Sequence, residues 1–87
     1  MEKEEFELLC KSYTPIIGDL LEKNHRFYLF NETIKWCFNY NEEESIVATC
    51  DRRDKLLRIN LKSVMRACFE KDLFTIEYYL LNEVRHI

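Results

Sequence analysis

The end of the chain holds the one group of side chains whose types and spacing suggest chemistry, Asn82-Glu83-Val84-Arg85-His86. On a helix, residues 82 and 86 share a face one turn apart, and Glu83 lies beside them. Two histidines at this spacing bind zinc in the HExxH arrangement, and the glutamate acts as general base toward the zinc-bound water. Here asparagine replaces the first histidine. The candidate metal-ligand positions are therefore Asn82 and His86, and Glu83 is the candidate catalytic residue.

Composition excludes most other sites. A single glycine, Gly18, rules out glycine-rich phosphate loops and the GxSxG nucleophile elbow. The four cysteines are far apart and form no CxxC pair, which predicts reduced core residues and no zinc knuckle. These cysteines are Cys10, Cys37, Cys50 and Cys68.

The elements that must position the motif follow from hydrophobic spacing and predict one α+β domain over residues 1–87. Helical steps run from about residue 3 to 24, with a break or kink at Pro15, where Thr14 is a candidate cap. Three strand-like runs follow, at 34–40, 45–50 and 56–60, and the short polar connections between them favour an antiparallel meander.

Two helices complete the predicted order, with Asn60 and Asp72 as their caps. The second covers Leu73 to Ile87 and is apolar on nearly every side at its start, which predicts a central, buried helix. On this view Trp36 and the Tyr78-Tyr79 pair are core residues and not a binding platform.

Taken with its context, the segment from Tyr78 to His86 resembles the buried active-site helix of HExxH zinc metallopeptidases, particularly the small gluzincin-like (minigluzincin-type) families. In these families an edge strand leads through a helix into the motif helix, and residues 34–87 are similar in order. The resemblance implies the N-terminal half of a metallopeptidase-like domain, with zinc as the cofactor of complete relatives.

Two departures from the family pattern change what the resemblance implies. The amide of Asn82 is a poor substitute for an imidazole, because zinc prefers nitrogen and sulfur ligands. The third ligand of the family, a glutamate on a later helix, has no counterpart before Ile87. We therefore expect a degenerate, truncated and catalytically inactive copy, with no cofactor in this chain and no stoichiometric zinc after purification.

An alternative has no enzymatic ancestry. Glu83, Arg85 and His86 are then the ordinary polar last turn of a core helix, where cations oppose the helix dipole. The chain is then a small intracellular interaction or regulatory module that binds a protein partner through a sheet edge or its acidic first helix, or forms a homodimer.

Charge and hydropathy restrict the partners. The net charge is −3, and the basic residues of 52–66 are interrupted by aspartates and lack stacking aromatics, so nucleic acid is not expected. An acidic N-terminus and the lack of a long apolar run argue against a signal peptide and a membrane span. We expect a cytoplasmic protein.

Overall fold

The computed structural model describes residues 1–23 and 35–84, and it has the predicted α+β order. The elements are α1 (Lys3–Lys23), β1 (Lys35–Asn39), β2 (Ala48–Asp51), β3 (Leu56–Asn60), α2 (Leu61–Glu70) and α3 (Leu73–Val84). Of the predicted site, Asn82 and Glu83 are described, whereas His86 lies outside the described residues.

The sheet is mixed, so the predicted antiparallel meander is wrong. Its strand order is β1-β3-β2, with β1 parallel and β2 antiparallel to β3. A tight turn joins β2 to β3, and Lys55 takes a left-handed φ of 51° there. The connection at 40–47 is longer than a hairpin loop and leaves room for β3 to lie between the other two strands. The mixed sheet follows because β3 carries the fully buried Leu57 and Ile59 and takes the central position.

The register shows where this connection must run. Asn39, the last residue of β1, lies beside Asn60, and Ala48, the first residue of β2, lies beside Ile59. Residues 40–47 therefore cross over the end of β3, a span of two strand spacings or about 10 Å. Their backbone polar groups need partners at that end of the sheet.

Asn60 supplies those partners. Its side chain, in a residue that is only 1% exposed, donates through Nδ2 to the carbonyls of Asn41 (3.1 Å), Glu43 (3.2 Å) and Ile46 (2.9 Å). Its Oδ1 accepts from the backbone N–H of Asn41 (3.0 Å) and of Lys62 (3.2 Å). The second of these bonds makes Asn60 the N-cap of α2, as the sequence predicts.

The first turn of α2 adds two further contacts to the crossing loop. The buried Ser63 hydroxyl donates to the Glu44 carbonyl at 2.7 Å. Lys62 Nζ donates to the Glu42 carboxylate at 2.7 Å and to its carbonyl at 3.1 Å. The hydrogen bond and the charge of Lys62 lower the pKa of Glu42. The loop, β3 and α2 are thus fixed together at one corner of the sheet.

Helix α1 does not break at Pro15. It continues from Lys3 to Lys23 with the proline inside, and Thr14 does not cap a second helix. The Thr14 hydroxyl donates back to the Cys10 carbonyl at 2.6 Å instead. Beyond the proline, Ile17 and Leu21 are buried in the core, and this burial offsets the hydrogen bond that proline cannot make.

The core lies between one face of the sheet and the three described helices. Leu57 and Ile59 of β3, together with the half-buried Trp36 and Phe38 of β1, face the helices, which confirms the predicted alternation of β1. Helix residues complete the same cluster: Ile17, Leu21, Val64, Ala67, Ile76, Leu80 and Val84. Trp36 and Phe38 pack edge to face, with ring centroids 5.2 Å apart.

Helix α3 is not buried on all sides, contrary to the sequence prediction. Ile76, Leu80 and Val84 form one buried stripe that faces the core. Phe74 and Tyr78, on the other side, are 76% and 58% exposed. Among the described elements, α2 and β2 pack against α3, on the side of its buried stripe.

The predicted cap of α3 is confirmed. Asp72 accepts from the Thr75 backbone N–H at 3.3 Å and from the Thr75 hydroxyl at 2.6 Å. The preceding residue, Lys71, ends α2 in a left-handed conformation, with φ of 58°. The short turn and the cap together fix the direction of α3 relative to α2.

We predict that Asn60→Ala lowers the free energy of unfolding by about 3 kcal/mol or more, because it removes five hydrogen bonds of a buried side chain, among them those to the Asn41 N–H and carbonyl and the cap of α2. Urea unfolding followed by circular dichroism measures the change. Asn41→Ala is the control, since among the described residues that side chain bonds the exposed Glu43 N–H and no other group, and its loss costs about 1 kcal/mol or less. Equal losses for the two variants would contradict the role assigned to Asn60.

Candidate functional site

The two described residues of the predicted zinc motif point to different sides of α3. Asn82 is exposed, whereas Glu83 is half-buried on the side that packs against β2. Consecutive helix residues differ by about 100° around the axis, which accounts for the separation. The spacing between Asn82 and His86 stays a prediction, because His86 is not described.

Glu83 has a specific partner on β2. Its carboxylate lies near enough to the Cys50 thiol to affect its ionisation, at the place where α3 packs against β2. Burial raises the pKa of Cys50, and the Glu83 carboxylate raises it further because it favours the protonated thiol. This contact gives Glu83 a structural position that the motif spacing alone does not reveal.

The described cysteines do not form disulfides, and three of them are half-buried as predicted. Cys37 is the exception: it lies exposed on the face of the sheet that points away from the core, so its prediction as a core residue is wrong. Burial raises the pKa of Cys10 and of Cys68. A raised pKa keeps these thiols protonated near neutral pH, which disfavours them as nucleophiles.

Metal ligands do not gather in the part of the chain that the structure describes. Across residues 1–23 and 35–84, no three His, Cys, Asp or Glu side chains are grouped so that they could hold a metal ion.

The exposed side of α3 is a surface of uncharged residues that includes three aromatic rings. It consists of the five exposed residues of the helix, here called the outer face: Phe74, Thr75, Tyr78, Tyr79 and Asn82. Tyr79 is 42% exposed, and its ring packs edge to face against that of Tyr78, with centroids 5.7 Å apart. None of the five residues carries a charge, although a third of the whole chain is charged.

Sequence reasoning assigned Tyr78 and Tyr79 to the core, and the structure overturns that assignment. The signal that identifies them is helical phase. Phe74, Tyr78 and Asn82 follow each other at steps of four, opposite the buried stripe of Ile76 and Leu80.

A second exposed aromatic surface lies around Phe69. It differs from the outer face because charged residues line it as well. Phe69, 85% exposed, lines a groove between α1 and α2 together with Tyr13 and Met65. Lys62 and Arg66 also line this groove, and both form ion pairs, with Glu42 and Glu70. The groove is therefore rimmed by paired charges, whereas the outer face of α3 is not.

Comparisons with known proteins give no match: no family model, no curated protein and no solved structure is similar to this chain. The resemblance to gluzincin-like metallopeptidases therefore stays a prediction.

Among the described helices, none is both long enough and apolar enough to cross a membrane.

We predict that Glu83→Gln speeds alkylation of Cys50 by iodoacetamide at a fixed pH between 8 and 9. The wild-type thiol titrates above its ordinary pKa of 9.0. Removing the carboxylate charge favours the thiolate, so the midpoint of the rate against pH moves down. Mass spectrometry of the Cys50 peptide follows the reaction. Asn82→Ala is the matched control on the exposed side and leaves the midpoint in place; an unchanged midpoint in Glu83→Gln would contradict the contact.

Proposed function

We propose that this chain is a protein-interaction module without catalytic activity and that the outer face of α3 is its docking surface. The observation that carries the proposal is an exposed helix face with three aromatic rings and no charged residue. Interface cores are depleted in charged residues and enriched in tyrosine and phenylalanine, which is the composition found here.

The size of the aromatic surface supports this function. A Phe or Tyr side chain offers about 200 Å². With Phe74 76%, Tyr78 58% and Tyr79 42% exposed, the three rings present about 350 Å² of accessible surface on one helix side. The largest apolar patch on a monomeric protein is about 300–600 Å² and is often functional.

The contacts that fix α3 to the rest of the domain also support a docking role. Asp72 caps its start, the buried stripe of Ile76, Leu80 and Val84 holds its length, and Glu83 lies against β2 at its end. A face fixed at three levels loses little conformational entropy when a partner binds, which favours affinity.

In this proposal the residues of the zinc motif have binding and structural roles and no catalytic role. Asn82 is the polar end of the outer face, and Glu83 is an anchor of α3 on the sheet. Gluzincin-like ancestry remains compatible with an interaction role, since a fold without its catalytic ligands can serve as a binding domain. We propose the cytoplasm as its location, which the free thiols of the described cysteines support.

Site-specific photo-crosslinking in cells that produce the chain tests this function. A benzoylphenylalanine side chain at position 74 or 78 is expected to give one discrete covalent adduct on illumination. Position 49 is the control, because Thr49 is exposed on the far side of the sheet. Adducts from 74 and 78 but not from 49 support the proposal. No adduct, or the same adducts from all three positions, would contradict it.

A further inference from the structure

We propose that the outer face of α3 binds a second copy of this chain, with the two α3 helices antiparallel across a two-fold axis. The inference rests on the proposed function, since it names the partner of the same surface. Charge, helix geometry and surface area each support it.

The distribution of charge favours self-pairing. In a two-fold contact, the same patch meets itself, so any charged residue near the axis faces its own copy and is repelled. The outer face meets this requirement because none of its five residues is charged. The two glutamates of the helix, Glu77 and Glu83, are half-buried and belong to other sides of it. A charged partner, by contrast, would find no complementary charge on this face.

The spacing of the aromatic rings suits an antiparallel helix pair. Phe74, Tyr78 and Asn82 form a ridge of i, i+4 steps that extends about 12 Å along the axis. With the two-fold axis at Tyr78, the middle of the ridge, Tyr78 meets Tyr78 of the second copy, and Phe74 of each copy lies opposite Asn82 of the other. Antiparallel helices also bring opposite ends of their dipoles together.

The available area predicts a weak dimer. Two sets of three rings bury about 700 Å² in total when both faces are covered. Thr75, Asn82 and their neighbours add to this area, and the sum approaches the smallest specific interfaces, which bury about 1,000 Å². Interfaces of this size form transient complexes, so the fraction of dimer is expected to rise as the protein concentration increases.

Sedimentation equilibrium on the full chain over a range of concentrations tests the dimer. The weight-average mass of the wild type is expected to rise from 10.7 kDa toward twice that value. Tyr78→Lys is expected to weaken association by about tenfold or more, because it places like charges at the axis. Thr49→Lys, the same charge change on the far side of the sheet, is expected to associate like the wild type. Urea unfolding verifies that each variant is folded, and Phe74→Lys provides a second disruption.

An equimolar mixture of Tyr78→Lys and Tyr78→Glu gives the sharpest result. Each variant alone is expected to associate about tenfold or more weakly than the wild type, whereas the mixture is expected to regain association, because position 78 meets itself only in the two-fold arrangement. A wild type that stays at 10.7 kDa at every concentration overturns the dimer. A dimer that Tyr78→Lys does not weaken, or a mixture that does not associate, overturns it as well.

The dimer and the proposed function can fail separately. If the chain is monomeric while position 78 crosslinks to a different protein in cells, the second copy is the wrong partner and the docking surface stands. If the chain is monomeric and positions 74 and 78 give no adduct, both proposals fail.

Discussion

The hydrogen bonds of the Asn60 side chain are the constraint on which the rest of the structure depends. A connection that crosses over the end of a central strand places its carbonyl and N–H groups against the protein, where they require partners. Asn60 satisfies groups of Asn41, Glu43 and Ile46 and also caps α2. One residue therefore fixes the crossing loop to the end of β3 and sets where α2 begins. The direction of α3 follows through the turn at Lys71 and the cap at Asp72.

Local sequence patterns predict most of the helices and strands, but they do not predict which strands pair with each other. Alternation identified β1, and Asn60 and Asp72 were recognised as caps because capping needs only the residue and the helix that follows it. The parallel pairing of β1 with β3 was missed, since periodicity does not report which strands are adjacent. Pro15 predicts a break or a kink; the helix does not break there, and the burial of Ile17 and Leu21 beyond the proline shows why it continues.

The side chains of α3 show the same limit, because a sequence pattern does not report what each side chain contacts. The apolar run that opens α3 predicts a helix covered all round, but the described elements that pack against it, α2 and β2, lie on the side of its buried stripe. The steps of four from Phe74 to Asn82 were visible in the sequence and could have identified the outer face. The contact between Glu83 and Cys50 could not, because the two residues are far apart in sequence and meet only when α3 packs on β2.

Helix α3 thus has two sides: its inner side joins the core, and we propose that its outer side, with its uncharged aromatic rings, binds a second copy of the chain. Nuclear magnetic resonance of the tyrosine rings at increasing protein concentration tests this claim most directly. The ring resonances of Tyr78 and Tyr79 are expected to shift with concentration, while those of Tyr13 and Tyr40, half-buried away from the outer face, stay constant. Constant resonances for Tyr78 and Tyr79, or equal shifts for all four rings, would contradict self-association through the outer face.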